Sequence, residues 1–206
     1  MLKKTTLSTV IAATLMSCGA ASVSANEFYA GAEAGWSDAH IEATRTNANV
    51  NGFSSTGFTY GAIAGYQMRI PDGMLAFEVN VGDNATEYEQ KTATSSESME
   101  GGPQYGITAK LGTSIHRYSH LYALAGYQWQ DMDAQATTIS GGTRSVTTDS
   151  ATFGGPKVGF GLQTKATRAL TLRAEWSRTI YDEETILDSK LDPEESRFTL
   201  GIVGKF

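Results

Sequence analysis

One cysteine, four prolines, three histidines and no long apolar run are what this 206-residue chain has least of. The cysteine, Cys18, falls in the first 25 residues, so a chain running from Asn26 onward forms no disulfide and does no thiol chemistry. Proline removes a ladder donor, and its scarcity leaves long stretches free to pair as strands. A membrane-crossing helix needs roughly 20 consecutive apolar residues. Nothing of that length is present, and mean hydropathy is −0.25. A chain that enters a bilayer must then enter it as strands. Basic residues are outnumbered, 16 against 22 acids, which argues against a nucleic-acid partner. No glycine-rich loop opens a helix to cradle phosphate, and no twelve-residue calcium-loop pattern occurs, so no cofactor and no metal are expected.

What is present is glycine, at 22 residues, and aromatics, with 9 Tyr, 8 Phe and 3 Trp. Residues 1–25 read as a secretory signal: Lys3 and Lys4 form the basic end, Leu7 to Met16 a short apolar core, and Val23-Ser24-Ala25 a small-residue cleavage site. A second reading takes Leu15-Met16-Ser17-Cys18-Gly19 as a lipobox with Cys18 acylated, a pattern that Met16 fits poorly. Losing Lys3 and Lys4 takes the net charge from −6 to −8.

From Glu27 the side chains alternate, greasy on one face and polar on the other, with the period of two that marks a strand. Phe28, Ala30, Ala32, Ala34 and Trp36 share a face; so do Leu75, Phe77, Val79 and Val81, and Leu170, Leu172, Ala174 and Trp176. Eight such segments are expected, at 27–37, 57–69, 74–83, 103–115, 120–131, 151–165, 169–181 and about 196–206. Tyr122 and Leu124 blur the polar face of the fifth. Between them lie four polar stretches, 38–56, 84–102, 132–150 and 182–195, read as long loops. The other connections are short, as at Pro71-Asp72-Gly73, where proline presets one dihedral and glycine supplies a positive φ.

Alternating long and short connections, an even strand number and strands of more than about 9–11 residues describe a membrane barrel with long extracellular loops and short periplasmic turns. The expected fold is all-β: an eight-stranded antiparallel transmembrane β-barrel over 26–206, following the signal of 1–25. Trp36, Phe58, Tyr105, Trp129, Phe153, Trp176 and Phe198 fall toward the loops, and Phe28, Tyr66, Tyr118 and Phe206 toward the turns. Two aromatic rings match two water–lipid boundaries. A soluble ligand-binding barrel would carry the opposite polarity, apolar inside.

The inward face carries Glu33, Glu78 and Glu175 against Arg69, Lys110, Lys157, Arg173, Arg197 and Lys205. Eight strands enclose a lumen that side chains fill. These charges are therefore expected to form an ionic plug; the alternative is a narrow, gated, porin-like ion path. The loop stretches are acidic: 182–195 holds Asp182, Glu183, Glu184, Asp188, Asp192, Glu194 and Glu195 against Lys190 alone. They read as a solvated surface, or as a site that bridges to lipopolysaccharide through divalent cations or recognises an extracellular ligand. No catalysis is expected. His116, Ser119 and His120 cluster on a short turn at the periplasmic end, and His40 stands alone in a loop. A lipid A-modifying enzyme is the less favoured alternative.

Ala64-Gly65-Tyr66, Ala125-Gly126-Tyr127 and the terminal Gly204-Lys205-Phe206, with the signal and the strand–loop asymmetry, resemble the small outer-membrane β-barrel proteins of Gram-negative bacteria, the group that includes the OmpA transmembrane domain and OmpX. The resemblance covers 26–206. It implies a structural or surface-interaction role in the outer membrane. Its implied partners are outer-membrane lipid and lipopolysaccharide, with periplasmic chaperones and the barrel-assembly machinery during biogenesis. Phe206 stands where the family carries its assembly signal; Gly204 departs from the apolar residue usual two places earlier.

Overall fold

The computed structural model describes residues 26–45, 48–85, 87–91, 95–140, 143–186 and 189–206. The expected signal segment 1–25, with Cys18, lies outside them. Ten strands form one sheet: β1 (Asn26–Arg45), β2 (Ala48–Ile70), β3 (Gly73–Asn84), β4 (Glu87–Lys91), β5 (Ser95–His116), β6 (Ser119–Ser140), β7 (Thr143–Lys165), β8 (Leu170–Ile180), β9 (Glu184–Ile186) and β10 (Ser189–Lys205). The order is β1-β2-β3-β5-β6-β7-β8-β10, and β10 pairs back onto β1. The two short strands, β4 on β5 and β9 on β10, are appendages. The result is a closed, eight-stranded antiparallel β-barrel.

Closure runs from Tyr29↔Lys205 through Ala32↔Ile202 and Trp36↔Phe198 to Thr44↔Lys190. Beyond it, the Phe206 N–H donates to the Phe28 carbonyl at 3.0 Å. No edge is left along the seam, as lipid requires.

Polarity follows the alternation. Phe77, Val79, Val81, Ile107, Leu111, Phe160, Leu172, Leu200 and Ile202 face outward and are exposed. A belt of that extent is incompatible with water and fits hydrocarbon. The soluble-barrel alternative is thereby overturned. Aromatic pairs mark the belt's margins: Trp36 meets Phe58 edge-on at 6.1 Å, Tyr105 stacks on Trp129 at 5.6 Å and Phe160 lies 5.3 Å from Trp176 near one margin, while Phe28 and Tyr66 meet at 4.8 Å near the other. Such rings suit the interface because each has an apolar body and, in Tyr and Trp, a polar handle.

Three expectations are corrected. The four long loops are largely strand: β1 and β2 run on to Arg45 and Ala48, β6 and β7 to Ser140 and Thr143, and β5 starts at Ser95. Beyond the membrane both faces of a ribbon meet water, so the hydropathy period vanishes while the backbone ladder continues. Thr, Ser and Val in these stretches suit a pleated ribbon. The side chains of 87–100 and 184–192, which carry much of the expected acidity, lie outside those described. Phe153 belongs to the lumen, where it is fully buried, and not to the aromatic margin. It shares the odd parity of Lys157, which also points inward. At the 70–73 turn it is Asp72, at φ 59°, that takes the left-handed conformation. Asp tolerates that region through its short polar side chain. Gly73 is needed instead for close approach, since a Cβ there would lie 2.2 Å from the Gly112 carbonyl oxygen.

Ile202 stands between Phe198 and Phe206 on the lipid side of the seam, so Ile202→Arg should destabilise the barrel by about 2–4 kcal/mol. Urea-driven unfolding in lipid vesicles measures this; a loss near zero would mean that this face does not meet hydrocarbon.

Candidate functional site

The lumen is where charged chemistry concentrates. Tyr29 on β1, Glu78 on β3, Lys110 on β5, Tyr122 on β6, and Arg173 and Glu175 on β8 meet across it. Lys110 Nζ lies 2.8 Å from Glu78 Oε1 and 2.7 Å from Glu175 Oε2, joining the two carboxylates. Arg173 Nη1 donates to Glu78 Oε2 at 2.6 Å, and the Tyr29 hydroxyl donates to the same oxygen at 2.8 Å. The Tyr122 hydroxyl donates to Glu175 Oε2 at 3.0 Å. Each cation also sits over an aromatic face: Lys110 Nζ is 5.3 Å from the Tyr122 centroid, and Arg173 Cζ is 5.5 Å from that of Tyr29.

Two glycines make room for the tyrosines. A Cβ at Gly65 would lie 2.5 Å from the Tyr29 Cζ and hydroxyl, and one at Gly161 would lie 2.4 Å from those of Tyr122. The Ala-Gly-Tyr segment at 64–66 is thus a spatial device as well as a sequence pattern. Apolar residues pack beside the charges: Ile63, Ala76 and Val203 with Tyr29, and Met74 and Leu124 with Tyr122.

A second layer lies toward the long hairpins. Arg197 Nη2 is 2.8 Å from Glu195 Oε2 and also donates to Gln104 Oε1. Asn84 Nδ2 donates to Glu195 Oε1 at 3.0 Å, and Gln104 Nε2 donates to Thr59 Oγ1 at 2.9 Å. The Tyr181 hydroxyl lies 3.0 Å from both Gln130 Oε1 and Glu195 Oε2, and its single proton serves one of them at a time. Near the opposite rim, Lys205 Nζ lies 3.3 Å from Glu27 Oε2 and donates to Gln67 Oε1 at 3.0 Å.

Of the expected interior charges, Glu78, Lys110, Arg173 and Glu175 come together, Arg197 joins the second layer, and Lys205 sits at the rim. Glu33 and Lys157 also face inward within electrostatic reach of each other, but among the described residues no ion pair closes on either. Arg69 is the exception: it keeps the inward parity of β2 but is exposed beside the 71–72 turn, below the packed layers. Sequence reasoning missed Tyr29, Tyr122, Tyr181 and the glutamine–asparagine set. It placed Glu195 in a solvated loop, although this side chain is buried on Arg197. Parity held the signal, because Glu195 continues the inward row of Arg197, Thr199 and Gly201.

Other candidates are poorer. His116 is exposed, and the Ser119 hydroxyl bonds Thr164 Oγ1 at 2.9 Å; among the described residues no hydrogen bond joins Ser119 to His116 or His120. An apolar groove of about 760 Å³ on the outer wall runs over Ala30, Ala64, Ala109 and Ala125, and the carboxylate of Glu78 behind it is engaged on the lumen side by Tyr29 and Arg173. Among the described residues no group of three or more His, Cys, Asp or Glu could hold a metal ion.

The outer membrane protein beta-barrel domain family matches residues 8–206. No curated protein matches the chain significantly. Among solved structures, the outer membrane protein OprG from Pseudomonas aeruginosa aligns with a TM-score of 0.56 at 9% identity, over 88% of this chain and 96% of that one. The Neisserial surface protein A aligns at 0.49 and 21% identity, over 87% and 97%. The outer membrane protease OmpT from Escherichia coli aligns at 0.48 and 9% identity, over 91% and 99%.

Replacing Lys110 with Met removes the cation that joins Glu78 to Glu175 and leaves Glu175 with Tyr122 alone as a direct donor. The expected cost is about 3–5 kcal/mol, because a buried charge loses its partner. Adding Glu175→Gln should recover part of it. Urea titration in vesicles reads both; a single-variant loss under about 1 kcal/mol would mark the pair as no stronger than a surface bridge.

Proposed function

The chain belongs to the outer membrane protein beta-barrel domain family, and on that premise we propose a non-catalytic barrel of the Gram-negative outer membrane with a closed lumen, acting through structure and surface contacts. The observation that carries this reading is the layer of Glu78, Lys110, Arg173 and Glu175, which ties β3, β5 and β8 across the barrel. Separating such charges in a low-dielectric interior is costly, so the layer favours a plug over a pore. The second layer on Glu195 and Arg197 adds a further obstruction on the same axis. The polar hairpins beyond the belt are the surfaces such a protein offers to lipopolysaccharide and to extracellular ligands.

A narrow porin-like channel is the second reading. It is favoured by Glu33 and Lys157, which face the lumen and, among the described residues, close no ion pair.

Planar-bilayer recording decides between them. The wild-type barrel should show no steady conductance at neutral pH, and Lys110→Ala, which opens the central layer, should introduce brief openings. Steady unitary steps from the wild type would reject the plug and support the channel.

A further inference from the structure

On the outside of the barrel, just beyond the aromatic margin, one polar pocket of about 330 Å³ is lined by Asp38, His40, Ser54, Arg178, Glu194 and Ser196. All six project from the outer wall of four consecutive strands, β2-β1-β10-β8. Register explains how they meet. His40 is opposite Ser54 on one side and Glu194 on the other; Ser196 is opposite Asp38 on one side and Arg178 on the other. Two residues nearer the membrane, Trp36 is opposite Phe58 and Phe198, and Phe198 is opposite Trp176. The pocket therefore stands roughly 5–10 Å above an aromatic ledge, at headgroup level, and opens sideways into the leaflet.

Its chemistry is mixed. Arg178 pairs with Glu194 and stays about half exposed, while the Ser54 hydroxyl donates to Asp38 Oδ1 at 2.9 Å. Among the described residues no side-chain hydrogen bond engages the His40 imidazole or the Ser196 hydroxyl, so both remain open to a ligand. A bare phosphate would meet two carboxylates and one guanidinium, which repel it on balance. Sugar hydroxyls, donors and acceptors at once, match carboxylates, hydroxyls, imidazole and guanidinium together. The aromatic ledge below suits the start of an acyl chain.

We propose that this pocket binds the saccharide headgroup of an outer-leaflet glycolipid, holding it against the wall of β1 and β10. Position selects the source: a ligand arriving from solution would have to displace the neighbouring headgroups, whereas a leaflet lipid reaches the pocket by lateral diffusion. The inference rests on the outer-membrane location and not on a closed lumen, so the conductance result leaves it untouched.

The test uses the full-length folded protein, purified in detergent and mixed with equal amounts of rough lipopolysaccharide and phosphatidylglycerol, with retained lipid read by native mass spectrometry. Wild type should keep lipopolysaccharide in preference. Arg178→Gln and Asp38→Asn should each weaken that retention about tenfold, as loss of one charge-assisted hydrogen bond implies. Asp133→Asn, on the far wall, should not, and each variant's heat-dependent gel shift reports that it is folded. Equal retention of the two lipids by wild type, or unchanged retention by folded Arg178→Gln and Asp38→Asn, would overturn the proposal. So would full competition by an equimolar amount of lipid-free core oligosaccharide, which would show that anchoring in the leaflet contributes nothing to binding. Release of fatty acid from the bound lipid would replace binding with hydrolysis, Ser54 and His40 being adjacent in register.

Discussion

Hydrocarbon offers no partner to a backbone N–H or C=O, and every other feature of this barrel follows from meeting that condition with strands. A sheet satisfies its interior strands automatically. Its two edges are satisfied only by each other, and here β1 and β10 do so from Tyr29↔Lys205 to Thr44↔Lys190. Antiparallel neighbours on both sides of the seam require an even number of strands. Eight meets that requirement, and it also sets how wide the interior is.

That width determines the rest. A narrow lumen lined by small residues alone would leave voids, and one lined by large residues alone would not close. The barrel sets glycine against tyrosine: Gly65 faces Tyr29 and Gly161 faces Tyr122. The tyrosine hydroxyls then reach the carboxylates of Glu78 and Glu175, and those carboxylates gather Lys110 and Arg173. Charge is thus held inside by partners from five different strands. The same charges facing lipid would each cost about 2–4 kcal/mol near mid-depth. Among the described residues, the buried Gln128 Nε2, Arg173 Nε and Arg197 Nε have no hydrogen-bond partner. For the two arginines, bonds made by Nη atoms anchor the guanidinium regardless.

The fold was legible wherever lipid enforces a polarity. Leu75 to Val81, Leu170 to Trp176 and Phe198 to Ile202 each read as one outward row, and they are. It was not legible beyond the hydrocarbon belt, where Ser54, Thr56 and Asp38 project outward into polar surroundings from strands whose other side is equally polar. Period-two reading has no contrast to work with there, so ladders that continue to Arg45 and Ser140 looked like loops. The central charges were legible because Glu78, Lys110, Arg173 and Glu175 interrupt apolar strands. Glu195 was not, since it sits among other acids, and only its parity with Arg197 separates it from Glu194, which turns outward to Arg178. Register between distant strands, which brings His40 beside Ser54 and Glu194, cannot be read from one strand at a time.

The most direct measurement is of the seam itself. Ala32 and Ile202 stand opposite one another on β1 and β10, both on the outer face. Opposed residues in an antiparallel pair bring their Cα atoms within about 4.5–5.5 Å, a separation that a disulfide spans. In a Cys18→Ser background, Ala32→Cys with Ile202→Cys should oxidise within a single folded chain in vesicles, giving a cross-linked monomer that no longer unfolds by opening between its ends. Two free thiols after oxidation, or cross-links only between separate chains, would mean that β1 and β10 do not meet.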